Sequence, residues 1–222
     1  MSAPVFFVTG TDTDAGKTFV SALLTMRWRA QYWKPIQTGI EDDCGDTATV
    51  KKMCETHGYS SEYAAPKFEL MKPLCPLEAM EYEPHIDVKL SDFEVPDLYN
   101  PERPLIVEGA GGVCVPITKK LETTVDLMKF FINSTKRTFK IVLVARSGLG
   151  TLNHTLMTIE HLKLVGLQNF VLGCVLSGKK NEGNSRILRR FGVKILAEID
   201  HCETKNDVQR ALAQIPNLEA LF

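Results

Sequence analysis

The sequence predicts a doubly wound α/β fold, a mainly parallel sheet with helices packed on both faces. Three observations carry this reading. Short apolar runs such as IVLVA at 141–145 lack the polar alternation of a strand with one wet face, so they belong to strands covered on both sides. These runs alternate with stretches of helical periodicity, and repeated strand–helix units require right-handed crossovers between parallel strands. The first apolar run leads through a glycine-bearing loop directly into a helix, and in such folds ligands sit at the carboxyl ends of the strands.

Taken in order, residues 4–9 form the first strand, and 17–30 a helix whose apolar face carries Val20, Leu23, Leu24 and Met26. Residues 31–36 read as a short strand cut by Pro35, and 46–57 as a helix with Asp46 placed to cap it. Residues 59–104 are rich in proline and predict short helical pieces at most. They are expected to elaborate the substrate side. From Pro104 the pattern is regular: strands over 104–109, 140–145, 170–176 and 193–199 alternate with helices over 124–134, 151–165, 183–191 and 205–213.

The bulk properties exclude several classes. The 222 residues suit one large domain, residues 1–222, and 44% hydrophobic content supplies a core. A formal charge of −1 and a pI near 6.5 exclude an electrostatic nucleic-acid binder. Six cysteines without CxxC spacing fit a reducing compartment rather than a disulfide framework or a zinc site. No targeting segment precedes the first strand, and no apolar run approaches the roughly 20 residues of a membrane span. The expectation is a soluble, cytoplasmic protein without a membrane partner.

The stretch VTGTDTDAGKT (8–18) matches a relaxed phosphate loop. Thr11 stands where the strict pattern has glycine, and Gly16, Lys17 and Thr18 close it. Backbone N–H groups at the helix start attract phosphate, Lys17 is placed to reach the β- and γ-phosphates, and the Thr18 hydroxyl to bind Mg2+. Asp12 and Asp14 would repel a polyanion if they pointed into the cradle. The expectation is that Asp12 orients water on Mg2+ and Asp14 faces a cationic second substrate. Lys34 ends a short strand, where an ammonium group can stabilise a transferring phosphoryl group. Glu108 ends a buried strand and precedes three glycines among four residues, so Thr18, Asp46 and Glu108 form a plausible oxygen set for one magnesium. The free N–H groups of Gly150, Thr151, Leu152 and Asn153 make a second candidate anion site. The five histidines have no ligand spacing.

Four motifs in this order, GTDTDAGKT, KPIQTG, VEGAGG and GLGTLNH, resemble the dethiobiotin synthetase family over nearly the whole chain. The resemblance implies a seven-stranded, mainly parallel sheet of the P-loop NTPase type, working as a homodimer with substrate near the interface. It implies a cyclo-ligase that uses ATP and Mg2+ to close 7,8-diaminononanoate and CO2 (from bicarbonate) into dethiobiotin, through a carbamate and a carbamic-phosphoric anhydride. By motif, Thr13, Asp14, Ala15, Gly16, Lys17 and Thr18 would hold phosphates, and Lys34 the carbamate and transferring phosphoryl group. Thr18, Asp46 and Glu108 would hold magnesium. Thr38 would touch substrate, Gly109, Ala110 and Gly111 would border the reacting centre, and residues 150–153 would receive the substrate carboxylate from the neighbouring subunit.

The chain departs from the family pattern in three places. Ser177 and Gly178 stand where many members read adenine with asparagine, and one hydroxyl cannot reproduce an amide's paired donor and acceptor. The Gly-x-Ile-Pro segment becomes Ala197–Ile199 followed by Asp200, leaving Asp200 and His201 to line the base. The Ser-Pro-His piece becomes Cys75, Pro76 and Leu77. Relaxed choice among nucleoside triphosphates is therefore expected. Two other readings weigh less. A partitioning ATPase would carry a second lysine early in the loop, and TGTDTDAG has none. A noncatalytic regulatory domain would not need the full set of Lys17, Lys34, Asp46 and Glu108.

Overall fold

The computed structural model describes residues 3–96 and 100–222. The part of the 59–104 expectation that falls on residues 97–99 lies outside the described residues. In chain order the elements are β1 (Val5–Gly10), α1 (Lys17–Arg27), β2 (Gln31–Trp33), β3 (Ile36–Thr38), α2 (Gly45–Thr56), β4 (Tyr63–Ala64), β5 (Phe68–Leu70) and α3 (Pro76–Tyr82). The second part contains β6 (Leu105–Gly112), α4 (Thr124–Ser134), β7 (Phe139–Arg146), α5 (Thr151–Leu164), β8 (Val171–Ser177), α6 (Glu182–Arg190), β9 (Ile195–Ile199) and α7 (Lys205–Gln214).

Seven strands form one sheet in the order β4-β2-β6-β1-β7-β8-β9, and the pairings along it are parallel. The alternation of β1 shows why Val5, Phe6, Phe7 and Val8 are all apolar. Phe6 and Val8 enter a core beneath α1, α2 and α7, while Val5 and Phe7 enter a second core beneath α4. Both faces are dry, so a polar alternate would be buried without a partner. Val8 lies opposite Glu108 in β6 and opposite Val142 in β7, which sets Glu108 beside the start of the phosphate loop.

Helix α1 stops at Arg27, three residues before the expected end at Ala30. Arg29 turns into the left-handed region (φ 50°), its N–H bonds the Met26 carbonyl, and the Ala30 N–H bonds the Thr25 carbonyl. These paired bonds satisfy the last free carbonyls and end the helix. The expected strand over 31–36 is two strands. Pro35 has no N–H to continue the ladder, so β2 stays in the main sheet while β3 leaves it. The β3 strand then pairs in parallel with β5 as a separate two-stranded sheet, and the Pro35 carbonyl accepts the N–H groups of Lys67 and Phe68. The 59–104 segment is more than elaboration: Leu70, Met80, Val88 and Phe93 are fully buried in the core on the α4 side. Among the described residues, no helix is long and apolar enough to cross a membrane.

Candidate active site

The loop between β1 and α1 has two residues in the left-handed region, Asp14 (φ 55°) and Gly16 (φ 91°). Aspartate tolerates that conformation better than most side chains. Gly16 is doubly constrained, since a methyl there would meet Ser177 Oγ at 2.6 Å. Lys17 Nζ folds back to donate to the Asp12 carbonyl at 3.1 Å. The Asp12 carboxylate accepts the Thr13 N–H at 2.8 Å and pairs with Arg146 at 3.0 Å, with about half its side chain exposed. The Asp12 side chain thus has a turn N–H and an arginine as partners and is not among the residues that wall either cavity described below. Asp14 lies on the wall shared by the two cavities described below.

Five side chains from four segments converge beside the loop. The Thr18 hydroxyl, in the first turn of α1, lies 2.8 Å from Asp46 Oδ1 and 2.9 Å from Glu108 Oε1. Lys34 Nζ, just past β2, lies 2.5 Å from Asp46 Oδ2 and 3.1 Å from Glu108 Oε1, and donates to the Gly109 carbonyl at 3.3 Å. Glu108 is completely buried and Lys34 nearly so. Burial pushes the Lys34 ammonium toward neutrality, but Glu108 and Asp46 outweigh it and hold the pKa above 10.5. Burial, reinforced by Lys34, lowers that of Lys17 below 10.5. Burial would raise the Asp46 carboxyl, yet Lys34 beside it reverses the effect and leaves it below 3.8.

Asp46 is not the N-cap of α2, as its position had led us to expect. The helix begins one residue earlier at Gly45, whose N–H donates to Asp43 Oδ1 at 2.7 Å. Asp46 is thereby freed to reach Thr18 and Lys34. The buried Gln37 side chain accepts the Asp46 N–H at 2.8 Å and ties the helix start to β3. The donor set of one hydroxyl and two carboxylates fits a hard divalent cation such as Mg2+, which takes oxygen ligands.

Two cavities meet at this point. The larger, about 680 Å3, is walled by Lys17, Thr18, Lys34, Thr38, Asp46, Glu108, Ala110 and Gly111, and also by Asp42 and Asp43. The second, about 650 Å3, is walled by Ala15, Ser177, Gly178, Asp200 and His201, and also by Arg146 and Lys179. Asp14, Gly16 and Phe19 belong to both walls, and Thr13 to the larger. Gly109 serves through its carbonyl and through close packing on Phe7.

Residues 150–153 are not brought to either wall: they start α5, with Gly150 in the left-handed region and no side-chain cap. Sequence reasoning missed three contributors. Tyr32 bonds Glu108, Arg146 pairs with Asp12, and Gln37 holds Asp46. The available signals were Tyr32's two-residue spacing from Lys34 and Arg146's place at the end of an apolar strand.

Comparison with known proteins agrees with this geometry. A family model described as AAA domain matches residues 5–221. Over 194 residues the chain is 43% identical to the ATP-dependent dethiobiotin synthetase BioD of Paramagnetospirillum magneticum, covering 87% of this chain and 86% of that protein. Over 219 residues it is 39% identical to the biotin biosynthesis bifunctional protein BioCD of Bordetella avium, covering 97% of this chain but only 44% of that protein. A plasmid partition protein from Borrelia burgdorferi superposes with a TM-score of 0.52 over 96% of each chain at 8% identity, a likeness of fold alone. Sheet, loop motif and relatives converge: the chain belongs to the ATP-dependent dethiobiotin synthetase family of P-loop proteins.

Proposed function

We propose that the protein closes a cyclic urea, joining 7,8-diaminononanoate and CO2 at the expense of ATP to give dethiobiotin, ADP and phosphate. The observation that carries this reading is the convergence of Lys17, Thr18, Lys34, Asp46 and Glu108 beside a phosphate loop where two cavities meet. One cavity suits a nucleotide and the other a diamine. A phosphate loop alone would need only the first.

The amides of residues 13–18 and the Lys17 ammonium hold the β- and γ-phosphates. Thr18, Asp46 and Glu108 hold Mg2+, which when bound neutralises the terminal phosphates. Lys34 lies on the wall of the larger cavity with its charge secured, so it is poised to stabilise the carbamate and the transferring phosphoryl group. A carbamate oxygen attacks the γ-phosphorus as the bond to ADP breaks. The second amine then attacks the carbamate carbon, the C–N bond forms, and phosphate leaves with the carbamate oxygen. Thr38, Ala110 and Gly111 border the reacting chain, and Asp14, with Asp42 and Asp43, surrounds the amines with negative charge. Positioning supplies most of the rate, because three reactants must meet in one geometry.

The protein works as a homodimer in this reading. Residues 150–153 wall neither cavity of their own chain and open α5, whose Met157 and Leu164 are exposed apolar side chains, which supports their serving the substrate carboxylate of a partner. Ser177, Gly178, Asp200 and His201 form the base end, and without a paired amide they accept several nucleoside triphosphates. One domain over 1–222, acting in the cytoplasm, suffices. A coupled phosphate assay with each reactant omitted in turn tests the proposal. Phosphate release is expected only when diamine, bicarbonate and nucleotide are all present, and steady release without diamine contradicts it. Turnover with ATP alone, CTP, GTP and UTP failing, would contradict the relaxed nucleotide choice.

A further inference from the structure

We propose that Tyr32 is a positioning residue that holds the Glu108 carboxylate so that a single oxygen is offered to Thr18, Lys34 and the divalent ion. The proposal rests on the reading of Thr18, Asp46 and Glu108 as that ion's ligands. Tyr32 lies in β2 opposite Ile106 of β6, and Glu108 is two residues further along, on the same face. Its hydroxyl donates to Glu108 Oε2 at 2.9 Å, while Thr18 and Lys34 both meet Oε1, at 2.9 and 3.1 Å. The two oxygens of one carboxylate therefore have separate duties. Oε1 faces the site, and Oε2 is committed to a phenol behind it.

Both Tyr32 and Glu108 are completely buried, so neither water nor a mobile side chain replaces this bond. Burial, with the negative charges of Glu108 and Asp46, raises the phenol pKa well above 10. Facing a carboxylate oxygen, which can only accept, the phenol is the donor of this bond. Tyr32 is not among the residues that wall either cavity, so it acts through Glu108 and not on substrate. Without the phenol, the carboxylate would turn to grip Lys34 with both oxygens. That would draw the ammonium away from the phosphoryl path and remove a preset ligand from the ion.

The test is calorimetric binding of ADP to the full-length protein, with and without Mg2+, for wild type and Tyr32→Phe. In wild type Mg2+ should tighten ADP binding. In Tyr32→Phe that increment should shrink about tenfold, the size of effect seen when a partner behind a metal ligand is lost. Affinity for ADP without Mg2+ should not change, and kcat should fall while KM for the diamine stays. In a Glu108→Gln background, adding Tyr32→Phe should change nothing further. If Tyr32→Phe does not fold, the Tyr32 hydroxyl proton of the wild type serves instead: it should be protected from exchange in the NMR spectrum, and a rapidly exchanging hydroxyl overturns the assignment. A wild-type increment that survives in Tyr32→Phe, or a further loss in the double variant, overturns the assignment of Tyr32. A wild type with no Mg2+ increment overturns the ion reading itself, and the Tyr32 proposal with it.

Discussion

Lys34 is held by two carboxylates and a carbonyl, so its charge is settled by the protein and not by the substrate. Replacing it by alanine should abolish phosphate release while ADP affinity stays within tenfold, about 1.4 kcal/mol. The same substitution removes the one ammonium paired directly with both Asp46 and Glu108, leaving only the longer-range charge of Lys17. A loss of about 3 kcal/mol in urea unfolding of the ligand-free protein is expected. The pH dependence follows from Asp46. Its folded pKa is depressed, so its contribution is present above about 3.8 and is lost as the pH falls through the lower folded value. Asp46→Asn should flatten that acid limb of the stability curve. Thiol labelling checks burial independently: Cys44 and Cys114 are exposed and should react first. Cys174, buried and pushed up to about 12, should react only on unfolding.

At the scale of the elements, Gly109 in β6 shows how tightly the site is joined to the core. A methyl there would sit 2.7 Å from Phe7 Cε1, in a ring that is itself completely buried. Gly109→Ala should cost about 1–3 kcal/mol in urea unfolding. The long elements were legible in the sequence because their causes are local. Uniformly apolar strands mark a sheet covered on both faces, and α4 begins and ends where its pattern said, at Thr124 and Ser134. The small sheet of β3 and β5 was not legible. Three-residue strands are too short to show a period, and their partner lies some thirty residues away. The site motifs were legible as types, but the duties within them were not. Asp12 and Asp14 look alike in the loop, and only the fold places Arg146 beside the former. Tyr32 reads as an apolar strand residue until β6 is laid next to it.

At the scale of the whole molecule, α5 follows directly on the Ser147–Leu149 wall of the second cavity, and its exposed apolar face is where the proposed dimer would form. Met157 and Leu164 are seven residues apart on α5 and share one exposed face. Replacing both by glutamate should shift the protein to monomers in sedimentation velocity and raise KM for the diamine, with ADP affinity unchanged. A monomeric wild type would remove the basis for that arrangement. The central claim, that a carbamate oxygen attacks the terminal phosphate, is tested most directly by a single-turnover reaction with 18O-labelled bicarbonate, quenched before exchange with water. The mechanism predicts one labelled oxygen in the released phosphate. Phosphate whose new oxygen comes from water would contradict it.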